Sequence, residues 1–160
     1  MLRCFDGGTV VVDLESREKF EAIRELIRSA PVFDGTDTRD RIATAVVERE
    51  RILTTGLGHG VALAHGTTDA VDRIVIALGI SRQGIDYQAV DQAPVHLLFV
   101  IVNPPGRQVE YLLALAAVSR MVRDEEFRQK LQARAPAAEI ENRICAAFSE
   151  SVRNYYQVPA

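Results

Sequence analysis

The stretch Val95-His96-Leu97-Leu98-Phe99-Val100-Ile101-Val102 constrains the fold more than any other part of the chain. A strand with one face in water alternates apolar and polar residues, because successive side chains point to opposite faces of a sheet. After His96 this run is apolar at every position, so both of its faces need cover. Asn103-Pro104-Pro105-Gly106 ends it, since proline brings no N–H to a ladder. Two further extended segments are predicted upstream, a short apolar one at Val61–Ala64 and a branched-rich one at Arg73–Leu78.

Helical periodicity surrounds these segments. Phe20, Ile23, Leu26 and Ile27 recur at helical spacing between Ser16 and Ser29, with Ser16 as the expected N-cap. A second helix is predicted from a Thr38 cap through Ile42, Ala45, Val46 and Arg49, ending before Thr54-Thr55-Gly56. A long helix is read over 108–123, another from Asp124 to near Arg134, and a last one from near Ala137 through Ile140, Ile144 and Phe148. No internal repeat, low-complexity tract or linker interrupts the pattern. The reading is an α/β fold, one three-layer domain over residues 1–160 with helices flanking a buried sheet.

Composition removes several function classes. The formal net charge is −3, which leaves no basic stripe for nucleic acid. The longest uninterrupted apolar run, Leu112–Val118, has seven residues, against ~20 needed to span a bilayer. The amino-terminal residues contain no apolar signal core. Cys4 and Cys145 stand far apart, form no metal-ligand spacing, and read as free thiols of a reducing compartment. A cytoplasmic protein is expected. The basic residues are 17 arginines against only Lys19 and Lys130, which reads first as genomic bias and second as selection for guanidinium chemistry.

The stretch Gly56-Leu57-Gly58-His59-Gly60-Val61-Ala62-Leu63-Ala64-His65-Gly66 is the least ordinary. Three glycines in five residues allow main-chain N–H groups to approach an anion. A short apolar strand then delivers His65, while Arg49 and Arg51 lie upstream at a predicted helix end. A neutral imidazole is a usable nucleophile near pH 7, and a guanidinium stabilises charge on a transferring phosphoryl group. Taken alone, the same residues also read as a structural turn followed by one histidine. The spacing is neither a Walker loop nor a dinucleotide fingerprint, because no Gly-Lys-Ser/Thr follows and the glycines precede a strand.

Residues 48–66, from Glu48-Arg49-Glu50 through Thr54-Thr55-Gly56 to His65-Gly66, resemble the IIA domains of the fructose/mannitol class of the phosphotransferase system, including its nitrogen-regulatory branch. The resemblance continues through Ile85-Asp86-Tyr87-Gln88-Ala89-Val90-Asp91-Gln92-Ala93-Pro94-Val95-His96-Leu97-Leu98-Phe99 and into the helix after Pro104-Pro105, covering roughly 8–150. It implies a mixed β-sheet between helices, a cytoplasmic phosphohistidine carrier, and no metal or organic cofactor. His65 falls on the phosphorylated histidine and Arg49 on its assisting arginine, with Gly56, Gly58 and Gly60 expected to hold phosphoryl oxygens. The implied donor is an HPr-like phosphocarrier; a transporter, a IIB component or a regulatory kinase is the implied target, and self-association is left open. The chain departs from the family pattern at four positions. Tyr111 and Leu113 stand where histidines are usual, Ala64 replaces the proline before the active histidine, and His59 replaces an asparagine. Tyr111 can donate one hydrogen bond to a phosphoryl oxygen but lacks an imidazolium's charge. His59 is either a substitute second imidazole or a solvated loop residue. Three functions follow: a regulatory phosphocarrier, a docking module with a degenerate site, or a sugar-transport component feeding a IIB partner.

Other residues read mainly as structural. His96 is expected to be a hydrogen-bonded strand histidine, Asp86 and Asp91 to make turn bonds, and residues 120–130 to form a solvated charged face. Tyr155-Tyr156 is expected in a packed tail, with a docking or dimer patch as the other reading.

Overall fold

The computed structural model describes residue 5 and residues 7–157. Cys4 lies outside the described residues; the Cys145 thiol donates to the Phe5 carbonyl at 2.8 Å.

The apolar run forms β5 (Val95–Asn103), the central strand of a five-stranded sheet. The others are β1 (Val10–Val11), β2 (Gly56–Gly58), β3 (Val61–Thr67) and β4 (Val75–Ile85). Their order is β1-β4-β5-β3-β2. β5 runs antiparallel to β4 and parallel to β3, so the sheet is mixed. Its two faces feed two cores. Leu97, Phe99 and Ile101 pack with Val118, Ile140 and Phe148 on one side; Leu98, Val100 and Val102 pack with Ile23, Ile42 and Val46 on the other. The first set belongs to α3 (Gln108–Met121) and α5 (Ala137–Tyr156), and the second to α1 (Lys19–Ser29) and α2 (Thr36–Ile52). Helix α4 (Glu125–Gln132) adds Leu131 to the first core.

Several boundaries differ from the sequence reading. Glu18, not Ser16, caps α1, its carboxylate accepting from the Phe20 and Glu21 amides. The Ser16 amide donates instead to Glu25. Helix α2 begins at Thr36 behind Gly35, two residues before the expected Thr38 cap. β3 extends to Thr67, paired with β5 throughout, and β4 extends to Ile85, which pairs with Val95 beyond an irregularity after Ile80. β1 was not predicted, since two residues carry too little periodicity to read. Tyr155 and Tyr156 are not buried in a packed tail: at the end of α5 they are 48% and 69% exposed, meeting edge to face with Arg120 over Tyr155.

Candidate functional site

The pleat decides where His65 points. Val61 and Leu63 face the α3/α5 core and Ala62 and Ala64 the α1/α2 core, so His65 emerges on the α3 side. There it pairs in register with Ile101 of β5. The same register brings Thr67 beside Asn103, whose side-chain oxygen accepts from the Thr67 hydroxyl. β5 therefore stops level with the end of β3, and the Pro104-Pro105-Gly106 turn starts α3 close to the imidazole. Tyr111, in the first turn of α3, lies with its ring centroid 5.4 Å from that of His65, tilted by 42°.

Gly66 faces the opposite way and sets the approach of α2. A Cβ at this position would stand 2.9 Å from the Val46 nitrogen and 3.0 Å from the Ala45 carbonyl carbon. Without one, the backbone of α2 rests directly on β3. Arg49 follows Val46 by about one helical turn, and its guanidinium reaches the Leu53 carbonyl at 3.4 Å. Its charge acts on both His65 and Tyr111.

Burial holds the His65 imidazole below its ordinary titration range. The Leu63 carbonyl, 3.4 Å from Nδ1, opposes that shift; Arg49 adds to it and Glu50 opposes it. The tautomer that satisfies Leu63 carries its proton on Nδ1 and leaves the Nε2 lone pair free. Burial raises the Tyr111 hydroxyl above its usual range, against the pull of Arg49, so the phenol stays protonated.

Behind Arg49 lies a buried polar cluster that the sequence reading missed. Glu50, 2% exposed, accepts from the Thr55 amide at 2.9 Å and the Thr55 hydroxyl at 2.5 Å, and pairs with Lys19 Nζ at 3.5 Å. The Tyr87 hydroxyl is 3.1 Å from Thr55 Oγ1, and Lys19 sits 5.4 Å from the Tyr87 ring centre. This clasp fixes the segment between the end of α2 and β2. One signal was available: Lys19 is one of two lysines in a chain that otherwise uses arginine.

His65, Arg49 and Tyr111 thus come together, whereas the glycine turn does not join them. Gly58 pairs with Val61 and Gly56 with Ala62, so the turn at His59-Gly60 lies at the opposite end of β3. Five residues of strand at ~3.3 Å each put Gly60 roughly 16 Å from His65. Gly58 and Gly60 adopt φ of 88° and 76°, and His59, at 55°, donates its amide to the Asp91 carboxylate. The glycines serve the β2–β3 turn, and His59 is its exposed tip. Asp91 also accepts from the Ala93 amide, and His96 Nδ1 lies 2.8 Å from the Ser81 carbonyl, both structural arrangements. Among the described residues no His/Cys/Asp/Glu group is arranged to hold a metal ion, and no helix is long and apolar enough to cross a membrane.

Comparison with known proteins decides the family. Residues 3–146 match the family model described as phosphoenolpyruvate-dependent sugar phosphotransferase system, EIIA 2. The chain belongs to this family. The fructose-specific EIIA component of Haloferax volcanii is 39% identical over 110 residues, covering 69% of this chain and 71% of that one. A nitrogen regulatory protein of Bradyrhizobium diazoefficiens is 32% identical over 127 residues, covering 79% and 82%. The fructose-specific EIIABC component of Bacillus subtilis is far longer, and the match spans 19% of it. Among solved structures, the nitrogen regulatory protein IIA-Ntr of Neisseria meningitidis superposes with a TM-score of 0.76 at 24% identity, covering 86% of this EIIA domain and 93% of that chain. That likeness establishes the fold.

Proposed function

We propose that this EIIA domain carries a phosphoryl group on His65, accepting it from an HPr-like phosphocarrier and using it as a signal or passing it to a partner. The observation that carries this reading is the half-buried imidazole of His65 with a guanidinium and a protonated phenol disposed around it. In the reaction Nε2 of His65 attacks phosphorus in line as the P–N bond to the donor histidine breaks, and the donor imidazole leaves with the electron pair. Arg49 stabilises the equatorial oxygens and Tyr111 donates one hydrogen bond; positioning and electrostatics supply the catalysis. No metal or organic cofactor takes part. A donor of this kind places the action in the cytoplasm.

The regulatory role is favoured over sugar transport because Tyr111 is neutral. An imidazolium would attract a phosphoryl oxygen in every passage of the group, whereas a phenol holds it by one neutral hydrogen bond. A transporter or a regulatory kinase then suits the chain better as target than a IIB component.

The test is incubation with an HPr-type carrier charged from phosphoenolpyruvate, read by intact mass. One acid-labile, base-stable phosphoryl group is expected on the native chain and none on His65→Ala. Labelling that survives in His65→Ala overturns the site. Arg49→Lys exchanges a planar fork for a point charge. Losing one charge-assisted hydrogen bond of about 2 kcal/mol slows transfer roughly 30-fold.

A further inference from the structure

Away from His65, α1 and α2 enclose an open groove of about 560 Å³, within the range of small-molecule sites. Its floor is apolar, with Ile27 and Val47 buried. Its walls carry Arg24 and Arg28 from α1 and Arg39 and Arg51 from α2, against the carboxylates of Asp40 and Glu48. Four positive charges and two negative leave the lining at +2, in a chain whose formal net charge is −3.

We propose that this groove binds a small, multiply charged anion of the phosphorylated-metabolite class. Arginine is abundant throughout the chain, so number alone carries no weight; convergence and the excess of guanidiniums over carboxylates in the lining do. Among the described residues, Arg24 pairs with Glu21 at 2.9 Å, and no carboxylate comes within ion-pair distance of Arg28, Arg39 or Arg51. The acid nearest in sequence to Arg28, Glu25, feels the Arg28 charge but lies beyond ion-pair distance, its two oxygens accepting from the Glu15 and Ser16 amides. Two of the guanidiniums are held in place. Arg39 Nε donates to the Phe33 carbonyl at 2.6 Å, and the Arg51 guanidinium lies 5.5 Å from the centre of the Phe20 ring. Both keep terminal N–H donors for a ligand, and the planar fork matches phosphate oxygens in pairs. Like charges gathered in one concavity raise each other's potential, and a bound polyanion relieves it. The apolar floor suits the body of a sugar or nucleoside rather than a bare ion.

The groove lies on the side of α2 away from Arg49, so binding there is independent of the phosphorylation proposed at His65. The test uses the full chain titrated with inorganic pyrophosphate, ADP and a hexose bisphosphate, followed by calorimetry and backbone amide shifts. One-to-one binding of at least one probe is expected, with shifts confined to residues 24–28 and 39–51 and affinity falling as salt rises. Arg28→Gln and Arg51→Gln, both exposed and tolerable to the fold, should each weaken binding about tenfold. His65→Ala and a control on α5, Arg143→Gln, should leave it unchanged. The proposal is overturned if none of the three probes saturates by about 10 mM, if binding survives both groove substitutions, or if the shifts centre on His65. Binding of a polyglutamate peptide without any phosphorylated probe also overturns it and gives the groove to an acidic protein surface.

Discussion

At the scale of single residues, the chemistry rests on how far burial moves two protons. Burial disfavours imidazolium at His65, so the folded state binds fewer protons than the unfolded chain as pH falls from the ordinary imidazole value of ~6.5. Its folded pKa lies below the unfolded one, so this residue subtracts stability as pH drops through that window and nothing above it. The neutral, nucleophilic form therefore persists to lower pH than for a free histidine. Titration of the His65 ring by NMR should give a midpoint below ~6.5, and the rate of phosphoryl uptake should fall with the same midpoint. A midpoint above that value would mean that Glu50 and the Leu63 carbonyl outweigh burial. Tyr111 offers a second test. Tyr111→His supplies a chargeable neighbour 5.4 Å away in ring-centre distance, and should speed uptake or prolong the phosphorylated state with a new pH dependence near pH 6 to 7. Tyr111→Phe keeps the packing, and a modest loss of rate would measure what the hydroxyl contributes. If both variants match the native protein in rate, lifetime and pH profile, Tyr111 only fills space.

At the scale of elements, Gly66 sets how closely α2 lies on β3. Gly66→Ala puts a methyl group 2.9 Å from a backbone nitrogen of α2, and a backbone cannot rotate away as a side chain can. The expected cost is about 1–3 kcal/mol in urea unfolding, with slower phosphoryl uptake because α2 carries Arg49. Native stability in that variant would show that α2 slides without resistance. This contact also marks the limit of what was legible. Existence and type of nearly every helix, and of the two long strands, could be read from periodicity, because each long element repeats its signal several times. His65 and Arg49 stand out together in the sequence because they sit inside one short, distinctive motif, and the fold sets the Arg49 charge where it acts on His65. The true position of the glycine turn could not. Three glycines and a histidine lie close along the chain, but an extended strand converts five residues into the length of the sheet. Nor could the Glu50–Lys19 clasp, which joins residues 31 apart whose sequence neighbours give no reason to pair them.

At the scale of the whole molecule, apolar surface gathers on both flanks of the His65–Tyr111 pair. Ile52 and Leu53, just beyond Arg49, are 80% and 65% exposed, and Leu112, beside Tyr111, is 59% exposed. If His65 takes up a phosphoryl group as proposed, donor and acceptor groups must meet with water excluded, and a dry rim around the imidazole would serve that encounter. The sheet order also has a consequence for how the chain finds its structure. β4 and β5 are antiparallel neighbours joined by the nine residues between Ile85 and Val95, a short closure. β3 must meet β5 across 36 positions of sequence (Val61 to Leu97), and β1 must meet β4 across 68 (Val10 to Leu78). Loop entropy favours closing short loops first; the β2–β3 turn is shorter still but ties down only the three residues of β2, so β4–β5 is the shortest closure between two long strands. The β4–β5 hairpin should therefore form the folding nucleus, with β1 docking last. Val100→Ala, in the centre of β5, should slow refolding, whereas Val10→Ala should mainly hasten unfolding. Stopped-flow chevrons of the two variants would separate these outcomes, and equal effects on both limbs would place β1 in the transition state.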